Sequence, residues 1–567
     1  MPASTAGSFI ARVLQNYGVR CVFGMEDPVH ISHALDRSRV RLVTIHDEKH
    51  GAIMAHGYAK ATGRPGICLA TCGPGATNLI TGLLEAQKSS IPVIAFVQDI
   101  ALKNRDRHAA SEIDHATCMA PYAKWVARIE LADRAVEMVH HAFRIATSGR
   151  PGPVVVLCPP DVMAQEVAFL DDDLAADAAY MSYPSCRTRP SAEAIRKAAD
   201  LIAAARRPII LAGGGVMLSR AWNEVVELAE MLRAPVATTM NGKGAIADDH
   251  PLSAGVAGTT TGGRYGRGMI ANTLLEEADL TLIVGSRNGQ ICSFNWTLPR
   301  RGTTILHIDI DPVEIGRNMR VTQALPGDAK ETVQDLIAAL QGRSVAGEDR
   351  TRRLQELRLQ WDSETRDVFS SQAKPIRPER LLREISGRVQ RDATIVADAS
   401  YTTGWAMSHI DTPGQGNAMI SPRGTGGIGW SLPAAIGAKL ADPSRKVVCI
   451  AGDGAFSYVM NEIETAARYR VTVAIVVFNN RTLGFQRHYE QKLFNTYREC
   501  DFLDIDFATI ARGMQCQAER IEDPALLGAA LDRALAADGP YLLDVLIDPD
   551  AMAPIVGLER EQVMESH

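Results

Sequence analysis

The chain has 567 residues, 46% of them hydrophobic and 22% charged, with a formal net charge of −6. That length exceeds what one hydrophobic core holds and predicts three domains of ordinary size. The slightly acidic balance excludes the basic footprint of a nucleic-acid-binding protein, and no run reaches the roughly 18 apolar residues of a membrane span.

Ten cysteines contain no CxxC pair. Cys21, Cys68, Cys158 and Cys449 lie in apolar runs and read as reduced core residues of a cytoplasmic protein. The opening segment MPASTAGSFIARVLQNYGV has no basic stretch ahead of an apolar one, so it reads as a first helix and not as a leader.

Strands and helices alternate along the chain, which predicts an α/β protein of three doubly wound parallel-sheet domains. The first spans residues 1–170, with strands at 21–23, 41–45, 66–71, 93–97 and 154–158. Glu48 follows the second of these at a helix start, where a carboxylate also interacts favourably with the helix dipole. The loop Cys72-Gly73-Pro74-Gly75-Ala76-Thr77-Asn78 follows the third; its glycines and proline suit a tight turn, and Asn78 offers a polar side chain. An acidic stretch at 171–190, with scattered Pro and Ser, reads as a linker.

The second domain spans 191–345, with strands at 208–212, 280–284 and 304–310. The first leads into Gly213-Gly214-Gly215 and the second into Gly285-Ser286-Arg287. Asp309 near the end of the third suits a ribose hydroxyl, and Asp328 a position beside an adenine. The glycine-rich segment 258–268 carries Arg264 and Arg267. The charged segment 347–365 reads as a solvated helix.

The third domain spans 375–550. A strand at 394–397 leads into Ser400 and Tyr401, and a glycine-rich segment at 424–429 contains Gly426 and Ile428. A buried strand at 446–451 ends at Gly452-Asp453-Gly454-Ala455; a helix at 460–469 and a strand at 471–478 follow, delivering Asn479-Asn480. Asn480 stands 27 residues after Asp453 (480 − 453 = 27). Both polar groups therefore lie at the carboxyl ends of neighbouring parallel strands, where open α/β sheets bind ligands. An aspartate, an amide oxygen and a backbone carbonyl make an oxygen-only site suited to Mg²⁺ holding a diphosphate. The glycines admit close backbone approach, and the following helix N-terminus favours an anion.

This GDG…NN pattern resembles the thiamine diphosphate signature. The segment Ile45 to Gly63 is similar to the "HEQGA…EGYARATG" segment, 72–78 to the GPGATN loop, and 423–438 to "GGLGTMGYGLPAAIGA", of the acetolactate synthase and benzoylformate decarboxylase branch of thiamine diphosphate enzymes. The resemblance covers nearly the whole chain and implies a pyrimidine-binding, a central Rossmann-like and a diphosphate-binding domain in that order.

It implies Glu48 as the catalytic group that protonates the aminopyrimidine, and Ile428 as the wedge that bends the cofactor. Cofactor contacts fall on Pro74, Asn78, Ser400, Tyr401, Gly426, Gly452, Gly454, Ala455, Gly484 and Phe485. Asp453, Asn480 and the Thr482 carbonyl would hold Mg²⁺. The central domain of such enzymes holds FAD, holds ADP or stays empty; Gly214, Arg287, Asp309 and Asp328 are the candidate nucleotide contacts. Glu48 of one chain would serve the cofactor anchored by Asp453 of another, in a homodimer or homotetramer.

The substrate half departs from the synthases. Phe23-Gly24-Met25-Glu26-Asp27-Pro28 replaces FGYPGG, and Ala110-Ser111 replaces a Phe-Gln pair. With His115 and Gln486 these are the candidate substrate residues. The resemblance implies a carboligase or decarboxylase, a transferase acting on a 2-oxo acid through an enamine. The alternative is a lyase or decarboxylase for a 2-hydroxyacyl-CoA, oxalyl-CoA or cyclic dione. A non-catalytic homologue is disfavoured because Glu48, Asp453 and Asn480 are all intact.

Overall fold

The computed structural model describes residues 4–25, 27–389, 391–416 and 418–556; Glu26, in the loop expected near substrate, lies outside them. The chain forms three six-stranded sheets, all paired in parallel, in two compact units. One unit comprises the chain up to Cys186 with Pro422–Arg445 and Val459–Val473; the other comprises the remainder.

The first unit holds β1 (Cys21–Gly24), β2 (Arg41–Val43), β3 (Gly66–Ala70), β4 (Val93–Gln98), β5 (Trp125–Arg128) and β6 (Val154–Cys158), ordered β2-β1-β3-β4-β6-β5. The order reverses between β1 and β3, which opens a crevice at the strands' carboxyl ends. Glu48 follows β2 there, and the 72–78 loop follows β3.

Two helices from the C-terminal third belong to this unit, Ser431–Ala441 and Glu462–Arg468. Ser431–Ala441 packs on Glu48–Thr62, the helix that begins at Glu48, and glycines set the closeness of that crossing. A Cβ on Gly57 would stand 2.3 Å from the Ala434 carbonyl oxygen, and one on Gly437 2.0 Å from that of Met54. At each contact the missing side chain of the glycine lets the facing backbone come this close.

The second unit holds two sheets. The central one contains β7 (Pro208–Ala212), β8 (Val236–Thr238), β9 (Ser253–Val256), β10 (Leu280–Val284), β11 (Thr304–Asp309) and β12 (Gln323–Pro326), ordered β12-β11-β10-β7-β8-β9. The other contains β13 (Ala393–Ala397), β14 (Met419–Ile420), β15 (Lys446–Gly452), β16 (Ala474–Asn479), β17 (Gln517–Ile521) and β18 (Tyr541–Leu546), ordered β14-β13-β15-β16-β18-β17. This last order repeats that of the first sheet. Its reversal falls between β13 and β15, so Ser400 and Asp453 share one crevice end.

Several elements depart from the sequence reading. The strand expected at 471–478 begins its ladder at Ala474, and Arg470, at φ +51°, turns the chain out of the preceding helix. The helix expected at 460–469 is regular only over Glu462–Arg468. The edge strands β5 and β12 are four residues each and only part-buried, too short and too exposed to stand out as buried runs along the chain. β18 is buried throughout, but Asp544 interrupts its apolar run.

Candidate active site

Glu48 opens its helix behind Asp47, whose carboxylate accepts the Lys49 amide at 2.8 Å and caps the first turn. The Glu48 side chain is buried, and Asn78 donates to its Oε2 at 3.0 Å. Gly75 makes room for it, since a Cβ there would stand 3.0 Å from Glu48 Oε1.

The loop carrying Asn78 is held from behind. Gly73, at φ +59°, donates its amide to His115 Nε2 at 2.8 Å, and His115 Nδ1 donates to Asp99 Oδ1 at 2.8 Å. These partners assign the tautomer. Burial pushes the Asp99 carboxyl up, but hydrogen bonds from His115 and Arg128 outweigh it and hold the group below its ordinary range. His115 was expected to meet substrate; it is buried with both ring nitrogens engaged, and it supports the loop instead. A pocket of about 810 Å³ opens beside this loop, lined by Gly73, Pro74, Thr77, Arg105, Ser111 and Arg128. Ser111 is exposed there, and Ala110 before it is exposed as well.

Glu85 anchors the glycine-rich segment. Its Oε1 accepts the Gly424 amide at 2.7 Å, and its Oε2 accepts the Thr425 amide at 2.7 Å and hydroxyl at 2.8 Å. Beyond that anchor Gly426 and Gly429 both adopt φ +75°, and Ile428 between them is 37% exposed.

In the second unit Asp453, Asn480 and Thr482 converge. Asp453 Oδ1 accepts the Gly454 amide at 2.8 Å and Oδ2 the Arg481 amide at 2.6 Å. One terminal atom of the Asn480 amide stands 2.8 Å from the Thr482 carbonyl oxygen and 3.2 Å from Asp453 Oδ1. As nitrogen it donates to both; as oxygen it completes a set of three acceptors facing one another. Burial raises the Asp453 carboxyl to about 6. Asn479 turns away from this group and donates to Asp544 at 2.9 Å inside the sheet.

Glycines shape the surroundings. A Cβ on Gly454 would stand 3.1 Å from Leu483 and from Phe502, and one on Gly484 3.0 Å from Asn480. Ala455 is buried and Gly452 partly so. Ser400 sits at φ +66° before the helix Tyr401–His409. The Tyr401 hydroxyl meets His488 Nδ1 at 2.8 Å, and Phe485 lies edge-on to the Tyr401 ring at 5.9 Å. Burial raises the Tyr401 phenol and lowers the His488 imidazole. Gln486 is exposed and donates to Glu490 at 2.7 Å.

The central sheet gives its glycines a packing reason. Cβ atoms on Gly213 and Gly215 would stand 2.3 Å from the Gly285 carbonyl oxygen and 2.6 Å from its Cα, so the turns after β7 and β10 meet backbone to backbone. Gly214 beside them has Asn241 Cβ 3.2 Å from its own Cβ position. Asp309 accepts the Asp311 amide at 2.9 Å, and Arg287 is part-buried. Asp328, expected beside an adenine, is buried, pairs with Arg187 at 2.7 Å, and accepts the Ser219 hydroxyl and the Glu331 amide. It is a helix cap and not a ligand-facing group. Arg267 is likewise committed, to Asp411 and the Asp248 carbonyl.

The chain matches the thiamine pyrophosphate enzyme N-terminal TPP binding domain over residues 4–118, the central domain over 195–336 and the C-terminal TPP binding domain over 398–545. It is 36% identical over 538 residues to the probable acetolactate synthase large subunit of Methanococcus aeolicus, covering 91% of this chain and 87% of that protein. The chain belongs to the thiamine pyrophosphate enzymes. The counterpart in Methanocaldococcus jannaschii is 34% identical, covering 96% of this chain and 92% of its own. The acetolactate synthase isozyme 2 large subunit of Escherichia coli K12 is 32% identical, covering 98% of each.

As a thiamine pyrophosphate enzyme, the chain carries supports that the sequence reading missed. Asp99 and Glu85 carry no local signal, since their partners lie 16 and 339 residues away. The Tyr401–His488 bond spans 87 residues and is equally invisible along the chain. No helix among the described residues is long and apolar enough to cross a membrane.

Proposed function

We propose that this thiamine pyrophosphate enzyme is a cytoplasmic, Mg²⁺-dependent carboligase acting on a 2-oxo acid, similar in activity to acetolactate synthase. The observation that carries the reading is the oxygen set of Asp453, Asn480 and Thr482. Mg²⁺ with ligands at about 2.0–2.1 Å in octahedral geometry places neighbouring oxygens about 2.9–3.0 Å apart. With the Asn480 amide oxygen turned inward, the separations of 2.8 and 3.2 Å fit that ion, and all three donors are the hard oxygens it prefers. These residues would hold Mg²⁺ and, through it, the cofactor diphosphate; Gly454 and Gly484 leave the approach open.

Thiamine diphosphate, when bound, supplies the nucleophilic carbon and the electron sink for decarboxylation and carbon–carbon bond formation. Glu48 holds and moves a proton at the aminopyrimidine, and Asn78 fixes the carboxylate that does so. Ile428 presents a bulky apolar side chain against the cofactor, and Glu85 sets the segment that carries it. The exposed residues Ala110, Ser111 and Gln486 and the pocket beside the 72–78 loop face substrate. In the central domain Gly214, Arg287 and Asp309 would contact FAD or ADP. The assembly would be a homodimer or homotetramer in which Glu48 of one chain serves the cofactor anchored by Asp453 of another.

Incubation of the purified protein with thiamine diphosphate, Mg²⁺ and pyruvate, followed by quantification of acetolactate, acetaldehyde and residual pyruvate, tests this reading. Acetolactate is the expected product. Acetaldehyde alone would indicate a decarboxylase, and untouched pyruvate from cofactor-loaded protein would reject the pyruvate reading in favour of acyl-CoA or dione substrates.

A further inference from the structure

The segment that presents Glu48 is bonded almost residue by residue to the chain at 462–469, within one compact unit. Glu462 is fully buried. Its Oε1 accepts the His46 backbone amide at 3.1 Å and His50 Nδ1 at 2.8 Å, while its Oε2 accepts the Thr465 hydroxyl at 2.6 Å. The Tyr469 hydroxyl accepts the Thr44 amide at 2.9 Å and donates to the Leu42 carbonyl at 3.2 Å. Arg468 donates to the Thr44 carbonyl at 3.0 Å, and His46 Nε2 pairs with Glu464 at 2.8 Å. His50 is buried, and its Nε2 has no partner among the described residues, so the Glu462 contact is the hydrogen bond that orients the ring.

We propose that Glu462 is a positioning residue for Glu48. The inference rests on the reading of Glu48 as the proton-transferring group. Glu48 has Asn78 as its hydrogen-bonding side-chain partner, so the place of its carboxylate depends largely on where the backbone delivers it. Glu462 grips that backbone two residues before Glu48, at His46, and the helix two residues after it, at His50. Both donors converge on one carboxylate oxygen in a buried setting, where charge-assisted hydrogen bonds are strongest. Replacing the carboxylate leaves two buried donors competing for a weaker acceptor, and the turn at 46–50 relaxes.

The test uses full-length Glu462→Gln and Glu462→Ala, with His50→Gln as a second handle should the alanine variant fold poorly. Backbone amide exchange in cofactor-free protein is expected to rise in segment 42–50 and to stay unchanged around Asp453. In protein loaded with thiamine diphosphate and Mg²⁺, exchange of the cofactor's C2 proton for deuterium is expected to slow by on the order of 10- to 100-fold, with cofactor affinity unchanged. Val139→Ala, which loosens the core of the same unit away from this contact, controls for mere destabilisation and is expected to leave C2 exchange intact. Unchanged amide exchange at 42–50, or C2 exchange equal to that of the parent, overturns the proposal. If Glu48→Gln also leaves C2 exchange unchanged, the failure belongs to the reading of Glu48 and takes the proposal with it.

Discussion

Asn78 donates its side-chain N–H to Glu48 Oε2 at 3.0 Å, tying the loop after β3 to the helix that follows β2. A carboxylate that moves protons needs a fixed direction as well as a suitable acidity. Asn78→Ala removes that donor while leaving Asp453 and its neighbours untouched. Turnover is expected to fall on the order of 10- to 100-fold with cofactor affinity nearly unchanged. Glu48→Gln should cost more, on the order of 10²- to 10⁴-fold, as loss of an acid–base group does. Steady-state rates alongside cofactor binding by fluorescence quenching distinguish these losses from failure to bind.

The raised carboxyl of Asp453 makes a signed prediction. Its pKa stands at about 6 in the folded chain against an ordinary 3.8. The folded state therefore holds this proton more tightly than the unfolded state. The stability it contributes is fully present below about pH 4 and is lost as pH rises through 6. The shift corresponds to roughly 2–3 kcal/mol at neutral pH. In EDTA, the unfolding temperature of Asp453→Asn relative to the parent is expected to rise from pH 4 to pH 7.5, on top of a pH-independent cost, because the new amide nitrogen faces the Gly454 or Arg481 amide. Mg²⁺ with thiamine diphosphate should stabilise the parent and not the variant, and its affinity should weaken as pH falls below 6. A gap independent of pH would show that burial does not hold that proton.

The close crossing of Glu48–Thr62 with Ser431–Ala441 predicts a sharp cost for small changes. Gly57→Ala and Gly437→Ala each place a methyl within 2.3 Å of a backbone oxygen, which cannot rotate away. The helices must separate, and each variant is expected to lose at least about 1–3 kcal/mol, the usual penalty of overpacking. Gly387→Ala is the control: its φ is −66° and the nearest atom stands 3.5 Å from the Cβ position. That variant should be neutral or stabilised by about 0.4–1 kcal/mol. Thermal unfolding of the three variants checks the ranking.

What could be read along the chain follows from the range of the interactions. β6 and β7 are continuous apolar runs and β10 is one broken only by Thr281; all three are buried at every position, and their bounds at 154–158, 208–212 and 280–284 match the expected strands. Asp453 and Asn480 could be paired in advance because two adjacent parallel strands bring residues of that spacing together. The Thr482 carbonyl came from family resemblance, since any residue type supplies a carbonyl. His115 was misplaced because a histidine near a glycine loop looks the same whether it faces a ligand or holds the loop from behind; only its bonds to Gly73 and Asp99 decide. Asp328 was misplaced for the same reason, its partners Arg187 and Ser219 standing 141 and 109 residues away.

Glu85 shows how much a residue without local signal can govern. It lies in a helix reading ITGLLEAQKS, where a lone glutamate suggests a solvated face, yet it is 2% exposed. Besides Gly424 and Thr425 it accepts the Ser89 hydroxyl at 2.7 Å. Glu85→Gln keeps the shape but turns one acceptor into a donor facing donors, leaving at least one buried N–H or O–H unmatched. That mismatch is expected to cost about 1–3 kcal/mol. The loss should appear locally: with Gly424 and Thr425 released, the Arg423–Gly424 bond becomes open to trypsin. Limited proteolysis of cofactor-free protein is therefore expected to cut the variant after Arg423 well before the parent. In the parent that bond stays protected, because Arg423 is part-buried and the amide that follows it is held by Glu85. Equal cleavage of both proteins at that site would mean that Glu85 does not hold the segment leading to Ile428.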